Sequence, residues 1–211
     1  MRASGVDDNK IDVTVKMIKR AWKNCVCPQY VLADSWYLSE KILRATIGLG
    51  GGVLHYLGLG KMNKTRYKVD GRMYNATMLV TKYGRSRLHE CRKYHCHYVT
   101  LNGEYTDTGI PVRIFLIKYG HNSNWNIMVT TDLRISFLKA FETYQIRWSI
   151  EVLIKDSRQH LGLGRCQSND FDALAADTTI TLMTYQVAAL QLRFSEYETM
   201  VRYSRLWRVN C

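Results

Sequence analysis

The sequence predicts an α/β fold, in which buried strands and amphipathic helices follow one another before a run of antiparallel strands. The apolar run Tyr30–Ala33, which ends at Asp34, is typical of a buried strand. Asn102-Gly103 and the turn at 109–111 separate segments of alternating apolar and polar residues, which predict antiparallel strands at 93–101, 112–119 and 124–131. Apolar residues at helical spacing follow, and they predict a long helix that begins near Asp132 and ends before Gly162.

Composition and spacing divide the predicted fold into three parts. Residues 10–60 hold two helices, at 11–23 and 36–47, and two short core strands. Residues 61–124 form a basic β insertion, and residues 125–200 hold the last core strand, the long helix and a C-terminal helix at 171–194. Asp34 or Ser35 is placed to cap the second helix.

The charge balance indicates a polyanionic partner. The chain has 30 Lys and Arg against 18 Asp and Glu, a net charge of +12. A field of that sign favours nucleic acid first and an anionic membrane second, although a basic protein without either partner has the same composition. The N-terminus lacks the apolar segment of a secretory signal, and the stretch 173–192 is too polar for a membrane span, so we expect a cytoplasmic protein with reduced cysteines.

The positive charge is concentrated in residues 61–93, which hold ten Lys or Arg against two acidic residues. Tyr67, Tyr74 and Tyr83 lie between these cations. Exposed tyrosines beside cations would offer stacking surface to DNA, which favours a DNA-facing segment over a solvated loop.

A single helix face unites the polar residues of the long predicted helix. At about 100° per residue, Tyr144, Arg147, Glu151 and Arg158 fall close together around the helix. The opposite side carries a predicted core stripe, whose members are Ile146, Ile150, Leu153 and Ile154. Glu151 beside cations suits a metal-binding carboxylate next to phosphate-binding groups, whereas the plain alternative is an ion pair with Arg147 or Lys155.

Asp34 is the second candidate carboxylate, because ligands and catalytic groups gather at the carboxyl ends of strands in open α/β sheets. A helix cap is an equally ordinary role for such an aspartate. Together, Asp34 and Glu151 could hold a pair of Mg²⁺ ions. A zinc site at Cys91, His95 and His97 is disfavoured because no paired Cys-x-x-Cys motif is present, and no Gly-x-Ser-x-Gly nucleophile motif exists.

The segment from Tyr144 to Gly164 resembles the Tyr–Arg–Glu–Lys signature of DDE-class bacterial insertion-sequence transposases. Tyr144, Arg147 and Glu151 match that signature in type and spacing, and Arg158 stands where the family has Lys. Tyr30 to Tyr37 is similar to the family's second catalytic Asp at a strand end, and Trp125 to Asp132 is similar to its last core strand. The resemblance spans roughly residues 10 to 200.

The resemblance implies a ribonuclease H-like core that catalyses metal-dependent DNA cleavage and strand transfer. Asp34 and Glu151 would be catalytic and would bind Mg²⁺ or Mn²⁺ in a two-metal site. Tyr144, Arg147 and Arg158 would bind DNA, at the transposon ends and target, with a homodimer forming on the DNA. A bacterial, nucleoid-associated protein without membrane contact is implied as well.

The chain departs from the family before Asp34. The family's first catalytic Asp lies on an upstream strand, whereas residues 1–33 here predict mainly a helix, and neither Asp7, Asp8 nor Asp12 follows a strand. We therefore expect a core that is incomplete on its N-terminal side, and a truncated, inactive transposase. The alternatives are a non-catalytic DNA-binding remnant and a nuclease of the same fold with another substrate.

Overall fold

The computed structural model describes residues 9–120 and 124–194, and for 192–194 it describes the backbone alone. The chain divides between Tyr144 and Gln145 into two compact units. The residues up to Tyr144 are called the sheet unit, and those from Gln145 onward are called the helical unit. Asp7, Asp8 and the predicted irregular C-terminal residues 201–211 lie outside the described residues.

Among its described residues, the sheet unit contains eight strands and four α-helices. The strands are β1 (Tyr30–Ala33), β2 (His55–Gly60), β3 (Arg66–Val69), β4 (Arg72–Asn75), β5 (His89–Cys91), β6 (Cys96–Tyr105), β7 (Ile110–Tyr119) and β8 (Trp125–Thr130). The helices are α1 (Lys10–Lys23), α2 (Glu40–Gly48), α3 (Ala76–Tyr83) and α4 (Phe137–Gln145), the last of which reaches one residue past the unit boundary.

One sheet joins all eight strands in the order β1-β2-β8-β7-β6-β3-β4, with β5 paired to β6. Only β1 and β2 run parallel as neighbours, with Ala33 opposite Gly58. The remaining ladders are antiparallel, and the longest joins β6 to β7 from Cys96↔Tyr119 to Tyr105↔Ile110. The sheet therefore continues without a break past residues 60 and 124, and the three-part division at those positions stays a prediction.

Helices cover both faces of the sheet, because the central strands are apolar on both sides. On one face, Ile114 and Leu116 pack in a cluster with Ile42 and Leu43 of α2. On the other face, Phe115 packs in a cluster with helix α4, whose contributing residues are Phe137, Ala140 and Phe141. The mixed α/β fold with a mostly antiparallel sheet confirms the predicted α/β fold class.

The described part of the helical unit contains α5 (Trp148–His160) and α6 (Phe171–Phe194). The bounds of α6 are those predicted for the C-terminal helix. Within the described ranges, no helix is both long and apolar enough to cross a membrane.

The long helix predicted from Asp132 to residue 161 is wrong, because the structure has two helices there. Helix α4 ends at Gln145 and α5 begins at Trp148. Between them the backbone makes tight three-residue hydrogen bonds, from Ser149 N–H to the Ile146 carbonyl and from Ile150 N–H to the Arg147 carbonyl. The Ser149 hydroxyl also donates to the Ile146 carbonyl at 2.7 Å, and such side-chain bonds compete with a regular helix.

The predicted core stripe on this segment is wrong as well. Ile146, Ile150 and Ile154 are 62%, 54% and 38% exposed. Apolar spacing identified a helix there, but the only side chain of α5 that is fully buried is Ser157. An amphipathic pattern fixes the helical period and does not by itself ensure that the apolar side is covered.

Candidate active site and nucleic-acid interface

Asp34 directly follows β1, at the carboxyl end of the parallel β1–β2 pair. One carboxylate oxygen, Oδ1, accepts the Trp36 backbone N–H at 2.8 Å, and the Asp34 carbonyl accepts the Tyr37 N–H at 3.1 Å. These bonds form a tight turn, so α2 begins at Glu40 rather than at the predicted residue 36. Asp34 thus orders a turn instead of capping a helix, and among the described residues its Oδ2 accepts no hydrogen bond.

The strand beneath Asp34 approaches β2 very closely. A Cβ added to Gly58 would lie 2.6 Å from the carbonyl oxygen of Ala33, the residue before Asp34, and would also overlap the Tyr56 hydroxyl. Tyr56 is completely buried. Burial raises the pKa of its phenol, with smaller contributions from other tyrosines and from Asp34, so this hydroxyl stays neutral. The position of Asp34 is therefore set by a close-packed pair of strands.

An exposed tryptophan with two lysines lies directly beside Asp34. Trp36 is 61% exposed. The Lys61 ammonium lies 3.6 Å from the centroid of the indole ring, and the Lys10 ammonium lies 4.5 Å from it. Sequence reasoning missed this group, although an aromatic residue two positions after a strand-ending aspartate was a visible signal.

Glu151 lies in the first turn of α5. Its Oε1 atom accepts a hydrogen bond from Nη2 of Arg147 at 2.8 Å. This is the ion pair that the sequence analysis set against a metal-binding role for Glu151. Glu151 and Arg158 line one shallow groove of about 370 Å³, together with Ile154, Lys155 and Gln159. The structure therefore brings Arg147, Glu151 and Arg158 together on the helical unit.

Tyr144 is separated from that group by the break between α4 and α5. It lies near the end of α4, half-buried against the cluster that contains Phe137 and Phe141. The prediction that all four signature residues share one helix face is thus wrong for Tyr144. Its role in DNA binding stays a prediction.

The tyrosines of the basic segment do not form an exposed stacking surface, which corrects the argument made from their spacing. Tyr67, Tyr74 and Tyr83 are 0%, 9% and 5% exposed, because β3, β4 and α3 turn these side chains into the core of the sheet unit. The Tyr83 hydroxyl donates to Asp70 at 2.5 Å, and the Lys82 ammonium donates to the Tyr74 hydroxyl at 2.6 Å. Exposed cations remain on this segment, so its contact with DNA stays a prediction that rests on charge alone.

A second aspartate, Asp132, has a structural position. The Tyr30 hydroxyl donates to its Oδ2 at 2.6 Å, and the Arg134 and Ile135 N–H groups donate to its Oδ1. Burial alone would raise the pKa of Asp132, but these hydrogen bonds outweigh it and hold that pKa below its usual value. Because β8 runs antiparallel to β2, Asp132 lies at the opposite end of the strands from Asp34.

The donor chemistry of the two candidate carboxylates fits a hard divalent cation. Asp34 keeps one oxygen without a hydrogen bond from the described residues, and Glu151 places its carboxylate in an open groove, so both can offer oxygen ligands. Within the described ranges, no three His, Cys, Asp or Glu side chains lie together in a way that could hold a metal ion. Cys91 and Cys96, from the segment considered for zinc, are buried cross-strand neighbours.

The comparisons with known proteins identify the family. The sequence matches the family described as "Transposase DDE domain" over residues 3–187, which is most of the chain. No curated protein matches the sequence significantly. DDE transposases act on DNA and generally use divalent metal ions. Because the match covers the β1–Asp34 turn, the whole sheet and the helix that carries Glu151, the chain belongs to the DDE transposase family.

Proposed function

We propose that this protein carries out DNA cleavage and strand transfer for an insertion sequence, with Asp34 and Glu151 as its metal-binding catalytic carboxylates. The family match over residues 3–187 carries the proposal. The site geometry supports it, since Asp34 ends a parallel strand and Glu151 lies in an open groove beside Arg158. The protein would act as a homodimer bound to the transposon ends, on the bacterial nucleoid in the cytoplasm.

Each polar residue of the site has a distinct proposed role. Asp34 and Glu151 would hold the Mg²⁺ or Mn²⁺ ions, which when bound supply an activated attacking oxygen and stabilise the leaving oxygen. Arg158 is exposed in the groove and would bind a DNA phosphate. Arg147 would fix the Glu151 carboxylate through their 2.8 Å hydrogen bond while facing DNA, and Tyr144 would contact the DNA from α4.

The test is neutralisation of each carboxylate. We expect Asp34→Asn and Glu151→Gln to lower Mg²⁺-dependent nicking of supercoiled plasmid by at least about 100-fold, with DNA binding retained. Glu142→Gln is the matched control, because Glu142 is a helical carboxylate that pairs with a lysine, Lys93, outside the proposed site. Unchanged nicking in both site variants would overturn the proposal.

The same variants must remain folded for that result to count. The partly buried Arg147–Glu151 pair contributes only about 0.3–0.5 kcal/mol, as is usual for pairs one helical turn apart. We therefore expect Glu151→Gln to unfold within a degree or two of the unmodified protein, as measured by thermal denaturation.

A second candidate function is DNA binding without cleavage. The net charge of +12 favours it, as does the match of only two carboxylates to a family motif that has three. If this second function holds, the unmodified chain binds plasmid DNA without nicking it, and robust Mg²⁺-dependent nicking would contradict it. Both functions require affinity that falls steeply with salt, because phosphate contacts release counterions, so a flat salt dependence would argue against both.

A further inference from the structure

We propose that Trp36, Lys10 and Lys61 form a nucleotide-binding platform that holds one unstacked nucleotide of the DNA strand next to Asp34. The three residues come from separate parts of the sheet unit. Trp36 follows β1, Lys10 begins α1, and Lys61 follows β2. Their convergence on one indole ring is therefore a product of the fold rather than of sequence proximity.

The backbone on either side of the exposed indole ring is anchored to the sheet unit. The Trp36 backbone N–H donates to the Asp34 carboxylate at 2.8 Å, and the next residue, Tyr37, packs against the core of the sheet unit. Burial of a large aromatic side chain is strongly favourable, yet Trp36 stays 61% exposed. An anchored, exposed aromatic face is the arrangement that proteins use to stack on a nucleic-acid base.

The two ammonium groups give the ring a specific chemistry. They lie 3.6 Å and 4.5 Å from its centroid, and neither lysine forms an ion pair with a described carboxylate. Cation–π attraction at an exposed site is weak, so these flexible side chains can turn to an arriving phosphate at small cost. Both ammonium groups lie over the ring, so a base can stack on the indole once a lysine has turned from it to a phosphate. A planar ring with two such cations matches a nucleotide, in which a flat base lies between two phosphates.

The base must be unstacked to use this platform. In the interior of a duplex both faces of each base are occupied by neighbouring bases, so the indole could only contact the backbone. A single strand, by contrast, exposes the base faces. The Asp34 carboxylate itself accepts the Trp36 backbone N–H, so a nucleotide bound on the platform lies beside the candidate catalytic carboxylate.

The binding test uses the full chain in EDTA, so that no cleavage occurs. The probe is a fluorescein-labelled thymidine decamer, compared with a duplex of the same length by fluorescence anisotropy at low salt. We expect Trp36→Ala to weaken binding of the single strand by roughly 5- to 150-fold, because base–aromatic stacking has that range of effect. Duplex affinity should stay unchanged, and Trp36→Phe should restore most of the single-strand affinity.

The lysines are tested by the salt dependence. Each phosphate contact that is lost should reduce the slope of log affinity against log salt by about 0.7 for a single strand. Lys10→Ala and Lys61→Ala should each show that reduction. Lys23→Ala, at the other end of α1, and Phe171→Ala, an exposed aromatic residue on the helical unit, are the matched controls that should change nothing.

Three outcomes would overturn the platform. These are no binding of the decamer by the unmodified chain, unchanged single-strand affinity in Trp36→Ala, and an equal loss for single strand and duplex. The placement of the platform on the reacting strand rests on the proposed function, but its affinity for unpaired DNA does not. If Asp34→Asn and Glu151→Gln both still nick plasmid while Trp36→Ala loses the decamer, the proposed function fails and the platform stands. If both variants lose nicking while Trp36→Ala keeps its affinity for the decamer, the platform fails and the proposed function stands.

Discussion

The two candidate carboxylates lie in regions with opposite packing. Asp34 extends from a strand pair whose neighbours, such as Tyr56 and Leu57, are completely buried. Glu151 lies on a helix whose apolar residues Ile150 and Ile154 are exposed. The core of the sheet unit thus fixes the position of Asp34, whereas the position of Glu151 depends on a single helix turn and a partly buried ion pair. Truncation of an apolar side chain should therefore lower the free energy of unfolding much more in the sheet unit than on α5.

The largest effect should come from matched isoleucine truncations in the two regions. Ile127 of β8 is 1% exposed and Ile150 of α5 is 54% exposed. We expect Ile127→Ala to lower the free energy of unfolding by about 2–5 kcal/mol, because it leaves a cavity in the core. Ile150→Ala should stay within about 0.5 kcal/mol of the unmodified protein, as exposed positions usually do. Urea denaturation measures both, and equal losses would show that Ile150 is covered in solution.

A glycine substitution sharpens the comparison at Asp34 itself. Gly58→Ala should cost about 1–3 kcal/mol, because the new methyl group would overlap the Ala33 carbonyl oxygen and force the two strands apart. Gly48→Ala is the control, since Gly48 ends α2 and has open space around its position. The control should be neutral or slightly stabilising. Equal unfolding midpoints for the two variants would contradict the close approach of β1 and β2.

The smallest predicted effect concerns acid stability at the other end of β1. The pKa of Asp132 is lowered in the fold, so its contribution is fully present above the unfolded value and is lost as pH falls through the folded value. Tyr30→Phe removes the 2.6 Å hydrogen bond and should raise the Asp132 pKa. We expect a loss of about 1–2 kcal/mol near neutral pH that shrinks below about pH 4, where protonation removes the contribution from both proteins. A pH-independent loss would indicate packing as the cause instead.

The sequence predicted the sheet better than the helices of the site. The bounds of β1 and the position of β8 follow from local patterns that burial reinforces. The turn predicted at Asn102-Gly103 is wrong, because both residues lie within β6, which pairs with β7 as far as Tyr105. The break after Gln145 was not predictable from spacing, because the apolar period continues through it while the backbone changes to three-residue hydrogen bonds at Ile146 and Arg147.

Burial explains why the stacking surface expected on the basic segment is not found. Alternation along β3 and β4 cannot say which side faces the core, and the tyrosines between the cations turned out to be inside. Trp36 shows the opposite difference. A tryptophan after an apolar strand is ordinarily expected to pack inward, whereas this side chain is exposed. Its contacts with Lys10 and Lys61 join residues that are far apart in the chain, which no local pattern reveals.

Because position 58 has no room for a side chain, it should also affect the result of a genetic screen of this protein. Gly58 has no functional group, yet any replacement there would displace the residue before Asp34. In a library selected for transposition, position 58 should therefore tolerate as few amino acids as the proposed catalytic carboxylates do. A map of intolerant positions would group this glycine with those carboxylates, although its contribution is only the room that it leaves.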